Sequence, residues 1–284
     1  MSVIDIHAHG IGRYDTRTGN PEHILWIAMQ HAGSGTIAVL PAIYPAPIDE
    51  MRRNLAAVRK AMDLQDAGQQ ESARILGAYL EGPFLNPSRC GAMDNKAFIK
   101  PTVSSLKKLI SGYEDIIKII TIAPEVHGAL KIIEQCSALG IKVNMGHSDA
   151  TYKQAVEGKN AGAAGITHLF NAMRPFHHRE PGLAGLGLID EELYIEVIAD
   201  GVHLHPRTLE LIFSRKRLDR IILVSDSVKG RKTGKGAVYT REGILAGSAT
   251  ALSGVAGILR SVGIPDAEII AASTDNPARY IGLD

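Results

Sequence analysis

The sequence predicts an α/β protein of the (β/α)₈ barrel class, and three observations lead to this prediction. Short apolar runs rich in β-branched residues recur eight times along the 284 residues, and each is followed by a stretch with helical periodicity. Strict alternation of strand and helix is typical of a parallel sheet buried on both faces, and eight units favour closure into a barrel over an open doubly wound sheet. The length also fits, since one such barrel needs about 250 residues. We therefore expect a single barrel domain over residues 1–284.

The predicted elements follow one another in a regular order. Strands are expected at 3–6, 36–40, 75–80, 117–122, 141–145, 165–167, 194–198 and 220–224. Helices, with apolar positions three and four residues apart, are expected at 21–31, 49–67, 103–111, 126–139, 150–160, 206–214, 250–262 and 266–280. The segments 174–187 and 229–247 carry neither pattern and are predicted to be loops.

The charge balance excludes several classes of partner. The chain has 31 Lys and Arg against 30 Asp and Glu, so no excess of charge would attract nucleic acid or an anionic membrane surface. No apolar run approaches the roughly 20 residues that cross a bilayer, and the N-terminus lacks the pattern of a signal peptide. Only Cys90 and Cys136 are present, too few for a disulfide framework. We expect a soluble cytoplasmic protein that acts on a small molecule.

Metal-ligating side chains stand where the predicted strands end. In a barrel these ends form the active-site face, so polar groups there are candidates for chemistry. The candidates, in chain order, are His7, His9, Glu81, His147, His168 and Asp226. Each alone has an ordinary explanation, such as a hydrogen-bonded histidine or a carboxylate that caps a turn or helix. Independent accidents would not bring all six to one face, so the combination predicts a metal site.

The ligand types indicate which metals and which chemistry to expect. Imidazole nitrogen with carboxylate oxygen is the ligand set of zinc, iron, manganese or cobalt hydrolases, with a position left open for water. His7 and His9 alternate along one strand and therefore project on the same side, where they can share an ion. Asp226 need not be a ligand and can carry the proton of an activated water. We expect a hydrolase with one or two divalent ions and Asp226 as its acid/base.

A series of motifs resembles the N-acetylglucosamine-6-phosphate deacetylase family of the amidohydrolase superfamily. The motifs are LEGPFLN at 80–86, TIAPE at 121–125, GHSDATY at 146–152, THLFNAM at 167–173, REPGL at 179–183, ADGVH at 199–203, SD at 225–226 and LAGS at 245–248. They run in order through nearly the whole chain. The resemblance implies a cytoplasmic barrel enzyme that hydrolyses the acetyl amide of N-acetylglucosamine 6-phosphate, commonly as a homodimer.

The resemblance also assigns roles to individual residues. It implies metal ligation by Glu81, His147 and His168, a second ion at His7 and His9 in some members, and proton transfer by Asp226. It implies that the substrate contacts Ala92, Met93, Asn171, the backbone of Ala172, Arg179 and His203. A guanidinium, an amide and a backbone N–H together suit a phosphate dianion.

The chain departs from the family pattern in two places. The family has a Gly-Ala-His segment whose histidine polarises the acyl carbonyl, whereas this chain has Gly91-Ala92-Met93, and a thioether cannot donate that hydrogen bond. The family also carries a small β-sandwich domain, and we expect a barrel-only member here. Two alternatives therefore stay open: an amidohydrolase for another N-acyl substrate, and a non-catalytic sugar-phosphate-binding protein. A serine nucleophile is disfavoured because no Gly-x-Ser-x-Gly elbow is present.

Overall fold

The computed structural model of the protein describes residues 2–68, 72–230 and 236–283, and within them the predicted eight-stranded parallel barrel is present. Its strands are β1 (Val3–Gly12), β2 (Thr36–Ile43), β3 (Ala78–Leu80), β4 (Ile117–Ile122), β5 (Lys142–Met145), β6 (Gly165–Ile166), β7 (Tyr194–Ile198) and β8 (Ile221–Val224). Each strand pairs in parallel with the next one along the chain. The β-branched composition of these strands suits a sheet that is covered on both faces.

The barrel closes through a break in its last strand. After β8 the chain turns at Asp226, whose N–H donates to the carbonyl oxygen of His7 at 3.0 Å. It then continues as β9 (Ser227–Lys229), which pairs in parallel with β1. Two further strands, β10 (Ala237–Tyr239) and β11 (Leu245–Ser248), extend the sheet beyond β9. This closure brings Asp226 next to the histidines of β1.

The helices cover the outside of the barrel. They are α1 (Pro21–Ala32), α2 (Ile48–Asp66), α3 (Val103–Ile110), α4 (Ala129–Ala138), α5 (Tyr152–Asn160), α6 (Gly182–Ile189), α7 (Pro206–Arg215), α8 (Ala256–Ser261), α9 (Asp266–Ile270) and α10 (Asn276–Ile281). One apolar cluster lies between strands and helices, and a smaller one that includes Ile6, Leu40, Tyr79 and Ile222 fills the barrel interior. In the described part of the chain, no helix is long and apolar enough to cross a membrane.

Three local predictions are wrong. The predicted strand 75–80 is interrupted at Gly77, whose φ of +138° suits glycine and where a Cβ would overlap the carbonyl oxygen of Ile116. The predicted loop 174–187 contains the start of α6. The predicted loop 229–247 contains β10 and part of β11 in its described portion.

The error at α6 has a packing cause. The GLAGLG sequence suggests flexibility, yet all six of these residues are buried. A Cβ at Gly187 would come within 2.8 Å of side-chain atoms of Ile166 and Leu169. Glycine is therefore needed there for close contact between α6 and the barrel wall.

Candidate metal centre

The candidate ligands meet at the base of one cavity at the barrel mouth. The cavity has a volume of about 440 Å³, and its lining includes His9, Glu81, His147, His168 and Asp226. Four of them follow the last residue of a strand by one or two positions, whereas His9 lies in the second half of β1; all five are buried. With His7 they form two groups of three, each with ligand atoms within 4.8 Å of one another.

The first group, the glutamate triad, consists of Glu81, His147 and His168. The Nε2 atoms of His147 and His168 lie 3.2 and 3.0 Å from Oε1 of Glu81 and 3.1 Å from each other. The three side chains come from the ends of β3, β5 and β6, so three separate strands aim them at one point. This is the compact arrangement that a shared ion requires.

The second group, the aspartate triad, consists of His7, His9 and Asp226. The two histidine Nε2 atoms are 3.3 Å apart, and each is 3.7 Å from Oδ1 of Asp226. His9 Nε2 also lies 2.8 Å from Oε2 of Glu81, so the Glu81 carboxylate stands between the two triads.

A bulge in β1 aims the histidines of the aspartate triad. Between the pairs Asp5–Val39 and Ala8–Pro41, β1 has one residue more than β2. Ile6 lies in the interior apolar cluster, and the extra residue lets His7, its direct neighbour, also face the axis. Bulges commonly redirect side chains beside active sites in this way. His7 and His9 then project on the same side, as predicted.

The hydrogen bonds of the imidazoles fit a bound cation. Nδ1 of His7 contacts Glu196 Oε2 at 2.9 Å, Nδ1 of His9 contacts the Ala42 carbonyl at 2.9 Å, and Nδ1 of His147 contacts the Arg89 carbonyl at 2.8 Å. Because all three partners are acceptors, we infer that each proton is on Nδ1 and that the Nε2 lone pairs face the centre. The Nε2 atoms of His7 and His9 are 3.3 Å apart, and two lone pairs at that distance repel each other unless a positive charge lies between them.

The electrostatics of the centre lead to the same conclusion. Burial alone would lower the pKa of His7, but the carboxylates of Glu196, Glu81 and Asp226 outweigh it and raise the pKa to about 10. Burial would likewise raise the pKa of Glu81, but His9, His147 and His168 hold it well below its usual value. The centre therefore favours positive charge, which a proton supplies in the metal-free protein and an ion supplies in the loaded one.

Three residues of the two triads have left-handed backbone conformations, which are costly for residues other than glycine. The φ angles are +47° at His147, +28° at His168 and +44° at Asp226. Such conformations persist only where the surroundings enforce them, and they cluster at functional sites. Here each one turns the chain sharply at a strand end and directs the side chain into the mouth.

Five of the six predicted substrate contacts line the cavity. Ala92 and Met93 come from the loop after β3, and Asn171, Ala172 and His203 come from the loops after β6 and β7. The His203 ring is fixed by Asp200, whose Oδ2 is 2.7 Å from Nδ1. Arg179 differs, because it is exposed, contacts His178 Nε2 at 2.9 Å and does not line this cavity.

The sequence-based interpretation missed a buried polar network behind His7. Oε1 of Glu196 accepts a 2.7 Å hydrogen bond from Asn144, and Asn144 Oδ1 accepts one from the Tyr280 hydroxyl of α10. Glu196 is only 1% exposed. A charged residue in the middle of the apolar strand YIEVI was the available signal, because buried charges are almost always paired.

It also missed two residues of the cavity wall, Arg17 and Tyr44. The Tyr44 ring stacks on His9 with centroids 3.7 Å apart, and the Arg17 guanidinium lies 4.5 Å from the opposite face of the Tyr44 ring. Burial and nearby carboxylates, only partly opposed by Arg17, raise the pKa of Tyr44 well above its usual value. Tyr44 therefore keeps its phenolic proton.

Comparison with known proteins identifies the family. Over 298 residues the chain is 33% identical to N-acetylgalactosamine-6-phosphate deacetylase of Escherichia coli O157:H7. The alignment covers 100% of this chain and 78% of the relative. It is 34% identical to N-acetylglucosamine-6-phosphate deacetylase of Vibrio furnissii, covering 99% of this chain and 73% of that one. The chain belongs to the N-acetylglucosamine-6-phosphate deacetylase family.

Solved structures agree with this membership. The N-acetyl-D-glucosamine-6-phosphate deacetylase of Mycobacterium smegmatis superimposes with a TM-score of 0.88 at 28% identity, covering 99% of this chain and 78% of that one. The family enzyme of Thermotoga maritima gives a TM-score of 0.88 at 26% identity, with the same coverage. A dihydroorotase at 14% identity, with a TM-score of 0.55 over 99% of this chain and 69% of that one, shares the fold alone. No protein-family model matches the chain.

Proposed function

We propose that this family member is a metal-dependent hydrolase of the N-acetyl amide of a phosphorylated amino sugar, foremost N-acetylglucosamine 6-phosphate, giving glucosamine 6-phosphate and acetate. The observation that carries the proposal is the glutamate triad beside Asp226 at the base of a cavity about the size of a sugar phosphate. The named activities of the relatives support the same substrate class.

The glutamate triad would hold a divalent ion, zinc before iron, manganese or cobalt, and the aspartate triad histidines offer a place for a second. Such an ion acidifies a water molecule and polarises a carbonyl. Asp226 would take the proton of the attacking water and pass it to the departing amine nitrogen, which must be protonated before it leaves. Its Oδ1 lies 3.7 Å from Nε2 of both His7 and His9, and Asp226 lines the cavity.

The cavity walls would receive the two ends of the substrate. Asn171, the backbone N–H of Ala172 and His203 would bind the phosphorylated sugar, with Ala92 and Met93 at the acyl group. The left-handed φ of +49° at Ala172 supports this role, because a distorted turn can present a backbone N–H to an anion. Arg179 is exposed and would have to move to reach the phosphate, so its role stays a prediction.

A second sugar is also a candidate for the substrate. The E. coli relative that covers the whole chain is named for N-acetylgalactosamine 6-phosphate, the epimer at one hydroxyl. We propose the glucosamine substrate first, since the relatives of Vibrio furnissii and Bacillus subtilis carry that name.

An assay of acetate and free amine release tests the proposal. The metal-analysed protein is given the N-acetyl 6-phosphates of glucosamine and galactosamine, with Asp226→Asn as the inactive control. Release by the wild type and loss in the variant would support the proposal. Activity only on other N-acyl compounds would favour an altered acyl specificity, and binding without turnover of any amide would favour a sugar-phosphate-binding protein.

The single catalytic domain over 1–284 and the homodimer are further proposals. The contiguous core of the described residues supports the first. Light scattering of the purified protein would test the second.

A further inference from the structure

The cavity wall near the acyl position lacks the donor that the family resemblance leads one to expect. Met93 lines this wall, and a thioether has no proton to donate to the acyl oxygen. That oxygen gains negative charge when water adds to the carbonyl carbon. Hydrogen-bond donors aimed at such an oxygen are often the largest single contribution to catalysis.

Tyr44 is a donor on the wall of the same cavity. It is the residue directly after β2, while Met93 lies in the loop after β3, and both line the cavity. In an eight-stranded barrel β2 is opposite β6, and the proposed sugar-phosphate contact Asn171 follows β6. If the substrate binds with its sugar at Asn171, as proposed, an amide that spans the metal centre would have its acyl group towards Tyr44.

The surroundings of Tyr44 hold the ring rigidly and leave its hydroxyl unused. The ring lies between His9 and Arg17, at 3.7 Å to the imidazole centroid and 4.5 Å to the guanidinium carbon. Arg17 is in turn fixed by Asp15, to which its Nε donates at 3.1 Å. Across the described residues, no hydrogen bond reaches the Tyr44 hydroxyl, whereas those of Tyr79 and Tyr280 are both paired. A fixed aromatic ring with a free hydroxyl at a cavity wall is a preorganised donor.

We infer that Tyr44 is a further catalytic residue, whose hydroxyl donates a hydrogen bond to the acyl oxygen in place of the missing histidine. The inference rests on the proposed function. Water adds to the carbonyl carbon, the C=O π pair moves onto the oxygen, and Tyr44 stabilises that charge while it keeps its own proton. When the C–N bond breaks, the pair returns to re-form C=O, and Asp226 delivers the proton of the water to the amine nitrogen. Arg17 is a positioning residue for the ring.

The test compares Tyr44→Phe with the wild type on two substrates, N-acetylglucosamine 6-phosphate and its N-trifluoroacetyl analogue. Phenylalanine keeps the stack on His9 and removes only the donor. We expect kcat for the acetyl substrate to fall by about 10²-fold with little change in KM, as when an oxyanion donor is removed. The trifluoroacetyl carbonyl is already electrophilic and depends less on a hydrogen bond to its oxygen, so kcat for this analogue should fall by less than about tenfold.

Three further variants complete the design. Tyr14→Phe is the matched control, because Tyr14 stacks on His23 with a similar centroid distance of 3.8 Å but does not line the cavity; its kcat should match the wild type. Met93→His, added to the Tyr44→Phe variant, should raise its kcat by at least about tenfold. The same change made in the wild type should alter kcat by a smaller factor. Tyr44→Met, which also lacks a donor, repeats the comparison if Tyr44→Phe folds poorly.

The possible results separate the two proposals. A kcat for Tyr44→Phe within threefold of the wild type would overturn the role of Tyr44, as would equal losses on both substrates. If the wild type itself hydrolyses neither compound, the proposed function fails and the inference fails with it. Metal content, measured for each variant, must stay at the wild-type value.

Discussion

The two triads share one cavity but are built differently. The glutamate triad takes its side chains from three strands, keeps its donor atoms within 3.2 Å of one another and has left-handed backbone at both histidines. The aspartate triad takes two alternate residues from one strand, and its carboxylate is 3.7 Å from both. The first has the geometry of a dedicated ion site. We propose that the second leaves Asp226 free to move a proton.

The largest effect should follow a change in the glutamate triad. Glu81→Gln replaces the carboxylate that both His147 and His168 contact, so we expect the bound metal to be lost and acetate release to fall by at least about 10³-fold. Elemental analysis of the purified variant with the deacetylase assay checks both. Glu157→Gln, an exposed change on α5, is the control. Full metal content in Glu81→Gln would contradict the role of Glu81.

A change in the aspartate triad should lower activity and keep the metal. Asp226→Asn preserves shape but cannot accept the proton of water, so we expect kcat to fall by about 10²- to 10⁴-fold. Metal content should stay near the wild-type value, in contrast to Glu81→Gln. If both variants lose metal to the same extent, the two triads do not differ in the way proposed.

A change behind the aspartate triad should weaken metal binding at that triad and leave metal binding at the glutamate triad nearly unchanged. Glu196→Gln removes the charge that orients His7, and we expect about 10- to 100-fold weaker binding of a second ion. Competition with a chelator of known affinity measures it. The affinity for the first ion should change by less than threefold. An equal loss of affinity for both ions would show that the effect of Glu196 is not confined to the aspartate triad.

Metal binding at His7 should depend on pH. Because the pKa of His7 is raised to about 10, the metal-free protein carries a proton there at pH 7, and an ion must displace it. Affinity at the aspartate triad should therefore rise by up to about tenfold per pH unit from pH 7 towards pH 10. Calorimetry in buffers of different ionisation enthalpy would detect the released proton. Affinity that is independent of pH would refute this account of His7.

The sequence could predict residues at strand ends but not features that depend on packing between distant elements. Alternating strands and helices fix where strand ends meet, so Glu81, His147, His168 and Asp226 could be assigned to one face. The same pattern cannot report a one-residue bulge in β1 or the α6 helix, because both depend on packing against other elements. Glu196 and Tyr44 were missed for a related reason: their importance comes from their neighbours in space, His7 and His9.

We propose that one ion at the glutamate triad, with Asp226 beside it, is sufficient for catalysis. The direct measurement is a titration of chelator-treated protein with zinc, following acetate release from N-acetylglucosamine 6-phosphate. We predict that activity rises linearly and reaches its plateau at one ion per chain. A plateau only at two ions per chain, or full activity without added metal, would contradict the claim.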